Sequence, residues 1–337
     1  MLIPVFRPTV RRVDMEAVLY QLVEDALAPG EVSEAFADGL ADFCGASQGV
    51  VLRDLERAIS LVCDSLGLVS GDKVAVMPLL SSVYGNVFVS RGIDVVFVDV
   101  VPSSGFPVSF DGLDGVKAVF WGIPLGVVPD MSFFSSLGVP LVMDLSQGLG
   151  ALWNGESVGG FADFVVVSLE ESGIITSAGG AFAGVVSRKF VSGFKGAVAS
   201  LPSFYFLSDM NAALGKTQLA QFDFFISKRR EIFDFFTSAL MQSRHSGFGP
   251  GADGGTDVPF SFPVVLSSSI KDVMVYAKKQ GVEVMRIFGD SLWSGFESDV
   301  FCKGAELLVS SCIVFPLYPL LSHESVELIS RVIATLP

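Results

Sequence analysis

A carboxylate, an amide and a hydroxyl stand where this sequence is best placed to do chemistry. Asp144 closes the apolar run that begins at Leu141, Gln147 lies three residues on in a glycine-rich turn, and Ser168 closes the next apolar run from Asp163. Taken alone, an aspartate at such a point caps the turn that follows it. At the carboxyl end of a parallel strand it also stands where α/β sheets bind their ligands. Groups able to move a proton are scarce nearby. No lysine occurs between Lys117 and Lys189, and the only histidines are His245, near a linker, and His323, at the start of the last helix. Both are expected in solvated or structural roles, away from the strand ends.

The surrounding pattern says what must position these groups. Prolines at Pro4 and Pro8 favour an extended start. Asp14 to Leu27 and Val32 to Phe43 then read as amphipathic helices, the first with Met15, Val18, Leu19, Leu22, Val23 and Ala26 as its apolar positions. From Val50 onward, apolar strands (50–52, 73–77, 94–100, 117–121, 140–143, 163–168) alternate with helices (55–66, 82–90, 131–137). A further strand opens after the Gly179-Gly180 pair. Continuous apolar strands separated by helices predict a mostly parallel sheet covered by helices. Asp209 to Leu240 reads as one long helix, followed by the glycine-rich linker 247–255. Strands near 258–266 and 282–285 and helices near 270–280, 303–309 and 324–334 come after it. The expected fold is therefore α/β, with a large domain over 1–240 and a smaller α/β domain over 241–337.

Composition narrows the function classes. The 337 residues are half apolar, enough for a sizeable core, and carry a formal charge of −14. No basic stripe tracks a phosphate backbone, which argues against nucleic acid. The dense basic run Lys228-Arg229-Arg230 adjoins Glu231 and reads as a solvated helix face. No apolar run reaches the roughly 20 residues that span a bilayer. The N-terminus places apolar residues before its arginines, opposite to a secretory signal, so a cytoplasmic location without membrane partners is expected. Cys44, Cys63, Cys302 and Cys312 are widely spaced in apolar surroundings and are expected as core thiols, with neither disulfides nor a metal site.

Across nearly its whole length the chain resembles the DegT/DnrJ/EryC1/StrS family of sugar aminotransferases, fold-type I enzymes that use pyridoxal phosphate (PLP). The resemblance rests on Ile3-Pro4 with Arg7-Pro8, Gly71-Asp72-Lys73-Val74, Val96-Phe97-Val98-Asp99-Val100 and the Leu141 to Gly184 stretch. It continues through Asn211-Ala212-Ala213-Leu214-Gly215 with Gln218-Leu219, the 228–232 run, and Phe315-Pro316-Leu317-Tyr318-Pro319. It implies a cofactor site in which Asp144 faces the pyridine nitrogen, Gln147 lies near the ring and Ser168 near the phosphate. An aspartate so placed keeps the ring protonated as an electron sink. It further implies a homodimer with the site at the subunit boundary, a nucleotide-sugar ligand, and a place in surface-polysaccharide or nucleotide-sugar synthesis.

Other positions depart from the family pattern. The lysine that would hold PLP as a Schiff base and shuttle the proton aligns with Gly173. The Ser-Gly-Thr-Ala phosphate turn reads Asp54-Leu55-Glu56-Arg57, where Arg53 and Arg57 could offset the acids or Arg57 could pair with Asp54 or Glu56. The aromatic that covers the ring aligns with Ser81, with Tyr84 one turn later as a substitute. The partner subunit's asparagine falls in Phe204-Tyr205-Phe206, and a small-domain histidine falls in the 258–262 stretch, which contains none. A histidine in place of the lysine, as in sugar dehydratases of the family, is likewise absent. Catalytic residues are therefore expected to be none. The expectation is a degenerate family member acting as a binding or partner-stabilising subunit, as a homodimer or a mixed dimer with an active relative. The alternatives are an active transaminase with an unrecognised base, or a non-covalent binder of PLP or its amine form, PMP.

Overall fold

Strands such as Val116–Gly122 and Ala181–Val185 are apolar throughout, and the chain removes them from water by pairing them side by side under helices. The computed structural model describes residues 2–295 and 302–337. Two helices, α1 (Arg12–Val23) and α2 (Glu31–Cys44), precede β1 (Gln48–Leu52). The alternation continues through α3 (Leu55–Leu66), β2 (Lys73–Val76), α4 (Ser82–Arg91), β3 (Asp94–Phe97), β4 (Val116–Gly122) and β5 (Leu141–Asp144). The short pair β6 (Leu152–Trp153) and β7 (Glu156–Ser157) leads to β8 (Phe164–Ser168) and β9 (Ala181–Val185). Seven of these strands form one sheet in the order β1-β9-β8-β5-β4-β2-β3. Only β9 runs against its neighbours, and the other pairings are parallel. The carboxyl ends of β4, β5 and β8 therefore open on the same edge.

The chain continues through α5 (Val191–Ala199), α6 (Asp209–Leu219) and α7 (Phe222–Leu240), then β10 (Gly255–Thr256), which joins β6 and β7 in a second small sheet. A third sheet, ordered β11-β13-β12, comes from β11 (Phe262–Val265), β12 (Met285–Arg286) and β13 (Cys312–Phe315). Helices α8 (Ile270–Lys279), α9 (Leu292–Gly295), α10 (Lys303–Ser311) and α11 (His323–Ala334) accompany it. Among the described residues there are two apolar cores. Phe222 and Phe225 of α7 belong to the large one, while Ile232, Phe236, Ala239 and Leu240 of the same helix belong to the small one. The N-terminus also reaches the small core, where Ile3 pairs with Val282.

Several boundaries differ from the sequence expectation. The long helix over 209–240 is two helices, broken at Ala220-Gln221, because Gln218 and Gln221 turn their amides to the buried Asp14 of α1. Gln221 leaves helical geometry to do so, with φ −105° and ψ 9°. The first helix stops at Val23, and Asp25 reverses the chain at φ +54°. The helix expected over 131–137 is a single 3-10 turn, Met131–Phe134. Helix α5 and strand β13 were not anticipated: Gly193 and Gly196 weaken the helical pattern of α5, and β13 is four residues pressed against the end of α10.

Candidate active site

The strand ends enclose a cavity of about 680 Å³. Asp144, Gln147 and Ser168 all line it, so the residues singled out in the sequence share one space. Each is held by the fold. Asp144 is buried, its Oδ1 accepting from the Ser146 amide at 2.7 Å and its Oδ2 from the Tyr84 hydroxyl at 2.8 Å. Gln147 uses Oε1 to accept from the Leu125 amide at 2.8 Å, which fixes a buried leucine at φ +57°. A leucine in the left-handed region is uncommon, and this bond is what the turn has in return. The Ser168 amide donates to the Ser146 hydroxyl at 2.8 Å, tying the end of β8 to the turn after β5.

Electrostatics on this side follow from burial. Desolvation raises the Asp144 carboxyl above its ordinary range, partly opposed by its bonds from Ser146 and Tyr84. The same burial, with the adjacent carboxylate, pushes the Tyr84 phenol well above its ordinary value, so it remains a donor. Tyr84 lies wholly inside the core, packed near Phe88 and Phe120, and does not line the cavity. The expectation that it could cover a cofactor ring is corrected: its hydroxyl sits under Asp144. Ser81 is the N-cap of α4, accepting from the Val83 amide at 3.4 Å.

The lining is acidic. Among the described residues, five carboxylates line the cavity, Asp54, Glu56, Asp144, Glu170 and Asp290, and no lysine, arginine or histidine does. Asp54 caps α3, its Oδ1 accepting from the Arg57 amide at 2.8 Å, so the chain's own carboxylate holds the helix N-terminus that an anion would use. Arg57 does not pair with either neighbouring acid. Its guanidinium lies over the Tyr205 ring, 4.2 Å from the centroid, and away from the cavity. The Phe204-Tyr205-Phe206 segment runs along its own β1 edge, with the Arg53 amide donating to the Tyr205 carbonyl at 2.9 Å. Glu170 and Asp290 were not anticipated. Glu170 had a signal, two acids directly between Ser168 and Gly173, whereas nothing local in the sequence marks Asp290.

Gly173 lies in the lining, in a loop stapled to itself. Its amide donates to the Glu170 carbonyl, and the Thr176 hydroxyl and Ser177 amide both bond the Leu169 carbonyl. A Cβ on residue 173 would stand 2.6 Å from the Ile175 carbonyl oxygen, closer than real Cβ contacts come. Backbone would have to move before any longer side chain could grow there. The remaining titratable candidates lie elsewhere. His245 is buried with Nδ1 accepting from the Ser267 amide at 3.2 Å, and His323 is exposed on α11 beside Glu327. All four cysteines are free and buried, their thiols pushed up to about 12 by desolvation. No group of residues suited to a metal occurs among the described residues.

A phosphate-bearing cofactor does not fit these residues. Its anion would meet Asp54 and Glu56 at the capped start of α3, with no cation in the lining to oppose them. Its aldehyde would find no amine among the described lining residues, and the carboxylate expected to face its ring nitrogen already accepts one bond on each oxygen.

The comparisons with known proteins nevertheless agree on ancestry and fold. The chain is similar to a UDP-4-amino-4,6-dideoxy-N-acetyl-beta-L-altrosamine transaminase of Campylobacter jejuni, 24% identical over 259 residues that cover 69% of this chain and 68% of the relative. It superposes on a putative sugar aminotransferase of Streptococcus pneumoniae in its PLP form with a TM-score of 0.90 at 18% identity, covering 99% of this chain and 98% of the other. A GDP-4-keto-6-deoxymannose-3-dehydratase shares the fold at a TM-score of 0.85 and 17% identity, covering 98% and 99%. The profile of the DegT/DnrJ/EryC1/StrS aminotransferase family matches residues 8–336, and the chain belongs to that family.

Proposed function

We propose that this chain serves nucleotide-sugar or surface-polysaccharide synthesis as a member of its family that does not transaminate, acting as a binding or partner-stabilising subunit. Position 173 carries the reading: the glycine there supplies no amine, and the Ile175 carbonyl at 2.6 Å bars a side chain. Loss of the lysine removes both the covalent anchor and the proton shuttle. A fold hosts more than one function, so the site decides, and this site supports occupancy without transamination. The sugar portion of a nucleotide sugar is the ligand proposed for the cavity. Its diphosphate would stay outside the five carboxylates.

A homodimer is proposed, as is the capacity to form a mixed dimer with an active relative. The cytoplasm is the proposed location. No helix among the described residues is long and apolar enough to cross a membrane.

The test mixes the purified chain with PLP and adds borohydride. No lysine-linked adduct is expected by mass spectrometry, and a stoichiometric adduct on one lysine would refute the reading. A second reading, a non-covalent PLP or PMP binder, is favoured by one observation, that Asp144, Gln147 and Ser168 line the same cavity. Calorimetric titration with PMP, which needs no lysine, separates the two readings, and the proposed function expects no saturable heat.

A further inference from the structure

A second cavity, of about 920 Å³, lies beside the strand-end one and shares no lining residue with it. Its size falls within the roughly 300–1,000 Å³ of spaces that enclose small-molecule ligands. One turn separates the two cavities: Pro124 lines the first and Leu125 the second. The walls of the second are apolar and come from distant parts of the chain, with Leu125 and Val127 after β4, Phe233 and Leu240 of α7, Phe248 of the glycine-rich linker and Phe262 of β11. All of these but Phe233 are buried. Met241 and Leu307 also belong to the lining and are 81% and 46% exposed, so apolar surface continues from the interior out to water.

The linker is pinned to both sides of this space. The Gly249 amide donates to the Ser103 carbonyl at 2.7 Å, the Ala252 amide to the Val128 carbonyl at 2.9 Å, and Ser246 and Val265 exchange two backbone bonds at 2.8 and 3.2 Å. Asp257 completes the brace, its Oδ1 accepting from the Val128 amide at 2.8 Å and its Oδ2 from the Gly251 amide at 2.9 Å. Ordering a glycine-rich segment is costly in backbone entropy, and these bonds hold it as a wall that stands before any ligand arrives.

The polar groups of the lining identify the occupant, because the protein itself already uses them. Asp257 is engaged on both oxygens, the Thr237 hydroxyl donates to the Phe233 carbonyl at 2.9 Å, and His245 Nδ1 accepts from the Ser267 amide at 3.2 Å. Burial lowers the pKa of His245, so its ring is neutral near pH 7. Arg230 donates from Nη2 to the Asp257 carbonyl at 3.3 Å, and the exposed Asp234 sets the opposite charge one turn along α7. We infer that this cavity is a second binding site, for a neutral and mainly apolar small molecule of the alkyl or aryl class. An ionised ligand would leave its charge without a free partner between the apolar walls. A protein segment fits less well, since stretches before, within and after α7 surround the space and present no flat face. The inference goes beyond the proposed function and does not depend on it.

Titration of the full chain with N-phenyl-1-naphthylamine, a neutral fluorophore, tests it. Fluorescence is expected to rise to saturation at one site per chain, and 1-decanol to displace the probe, with decanoate and decylammonium about tenfold or more weaker than the alcohol. Thr237→Trp, which fills the cavity from α7, is expected to weaken probe binding about tenfold or more. Ser172→Trp, which narrows the strand-end cavity instead, is expected to leave it unchanged. If Thr237→Trp fails to fold by circular dichroism, Met241→Asp with Leu307→Asp, at the two exposed lining positions, carries the same expectation. Absence of saturable binding overturns the inference. So does binding that is lost in Ser172→Trp and kept in the variants of the second cavity, and decanoate binding as tightly as decanol overturns the neutral class.

Discussion

The two walls of the cavity come from one sheet and differ in how their polar groups are used. On the wall after β5 and β8, Asp144, Gln147 and Ser168 have the identities that the family resemblance leads one to expect, and the fold engages Asp144 through Tyr84 and Ser146, Gln147 through Leu125, and Ser168 through its backbone amide only. On the wall at α3 and the 169–178 loop the identities themselves differ, with acids and a glycine where a phosphate turn and a lysine would be. The difference teaches that side-chain identity and side-chain availability are separate questions. An aspartate in the right register whose two oxygens already hold the fold together has only its remaining lone pairs to offer a ligand.

The largest effect is expected where the second wall is asked to become like the first. Gly173→Lys should not yield an aldimine band with PLP, and it should destabilise the chain by about 3 kcal/mol in urea denaturation, because its Cβ presses on the Ile175 carbonyl. An aldimine at unchanged stability would erase the contrast between the walls. Tyr84→Phe comes next. It leaves one oxygen of Asp144 buried and unpaired, a loss of about 2 kcal/mol. If stability is unchanged, the first wall is not held by this bond.

Asp54→Ala is expected to cost about 1 kcal/mol through loss of the α3 cap, and Asp54→Ser to recover most of it, measured by thermal unfolding. The smallest effect is a slope. Burial raises the Asp144 carboxyl in the folded state, so the folded chain keeps this proton at pH values where the unfolded chain, near the ordinary 3.8, has released it. The stability linked to that proton is complete below the unfolded pKa and lost as pH rises through the folded one. Asp144→Asn should therefore come nearest the wild type in Tm below pH 3.8 and exceed it increasingly as pH rises, until the folded carboxyl has lost its proton. A constant Tm difference across that range would mean that Asp144 keeps an ordinary pKa.

Much of the fold was legible because the signals were local and redundant. The helix over 55–66 is bounded by Asp54 as a cap and Gly67 as a left-handed stop, and the apolar strands could belong only to a buried sheet. What escaped depends on partners distant in sequence. Met15, Leu19 and Leu22 marked α1 as amphipathic, yet the buried side is the one carrying Asp14 and Gln21, since their partners Gln218 and Gln221 lie some 200 residues away. The same bonds broke the expected long helix in two. In the site, the glycine at 173 and the acids at 54 and 56 were legible residue by residue. The bond from Tyr84 to Asp144 and the arrival of Asp290 were not, because each needs the fold to bring remote segments together.

One buried cation bears on how this molecule can move. Arg229 of α7 is enclosed without a carboxylate partner, its pKa lowered to about 10 by burial, and its Nη1 donates to the carbonyls of Phe260 at 2.6 Å and Leu317 at 2.7 Å. Phe260 is itself part of the cavity lining, and α7 is the helix that enters both cores. A hinge opening between the cores would pull a buried charge off the carbonyl oxygens that solvate it. The guanidinium thus works as a rivet, pinning α7 to the segments that carry Phe260, in the cavity lining, and Leu317.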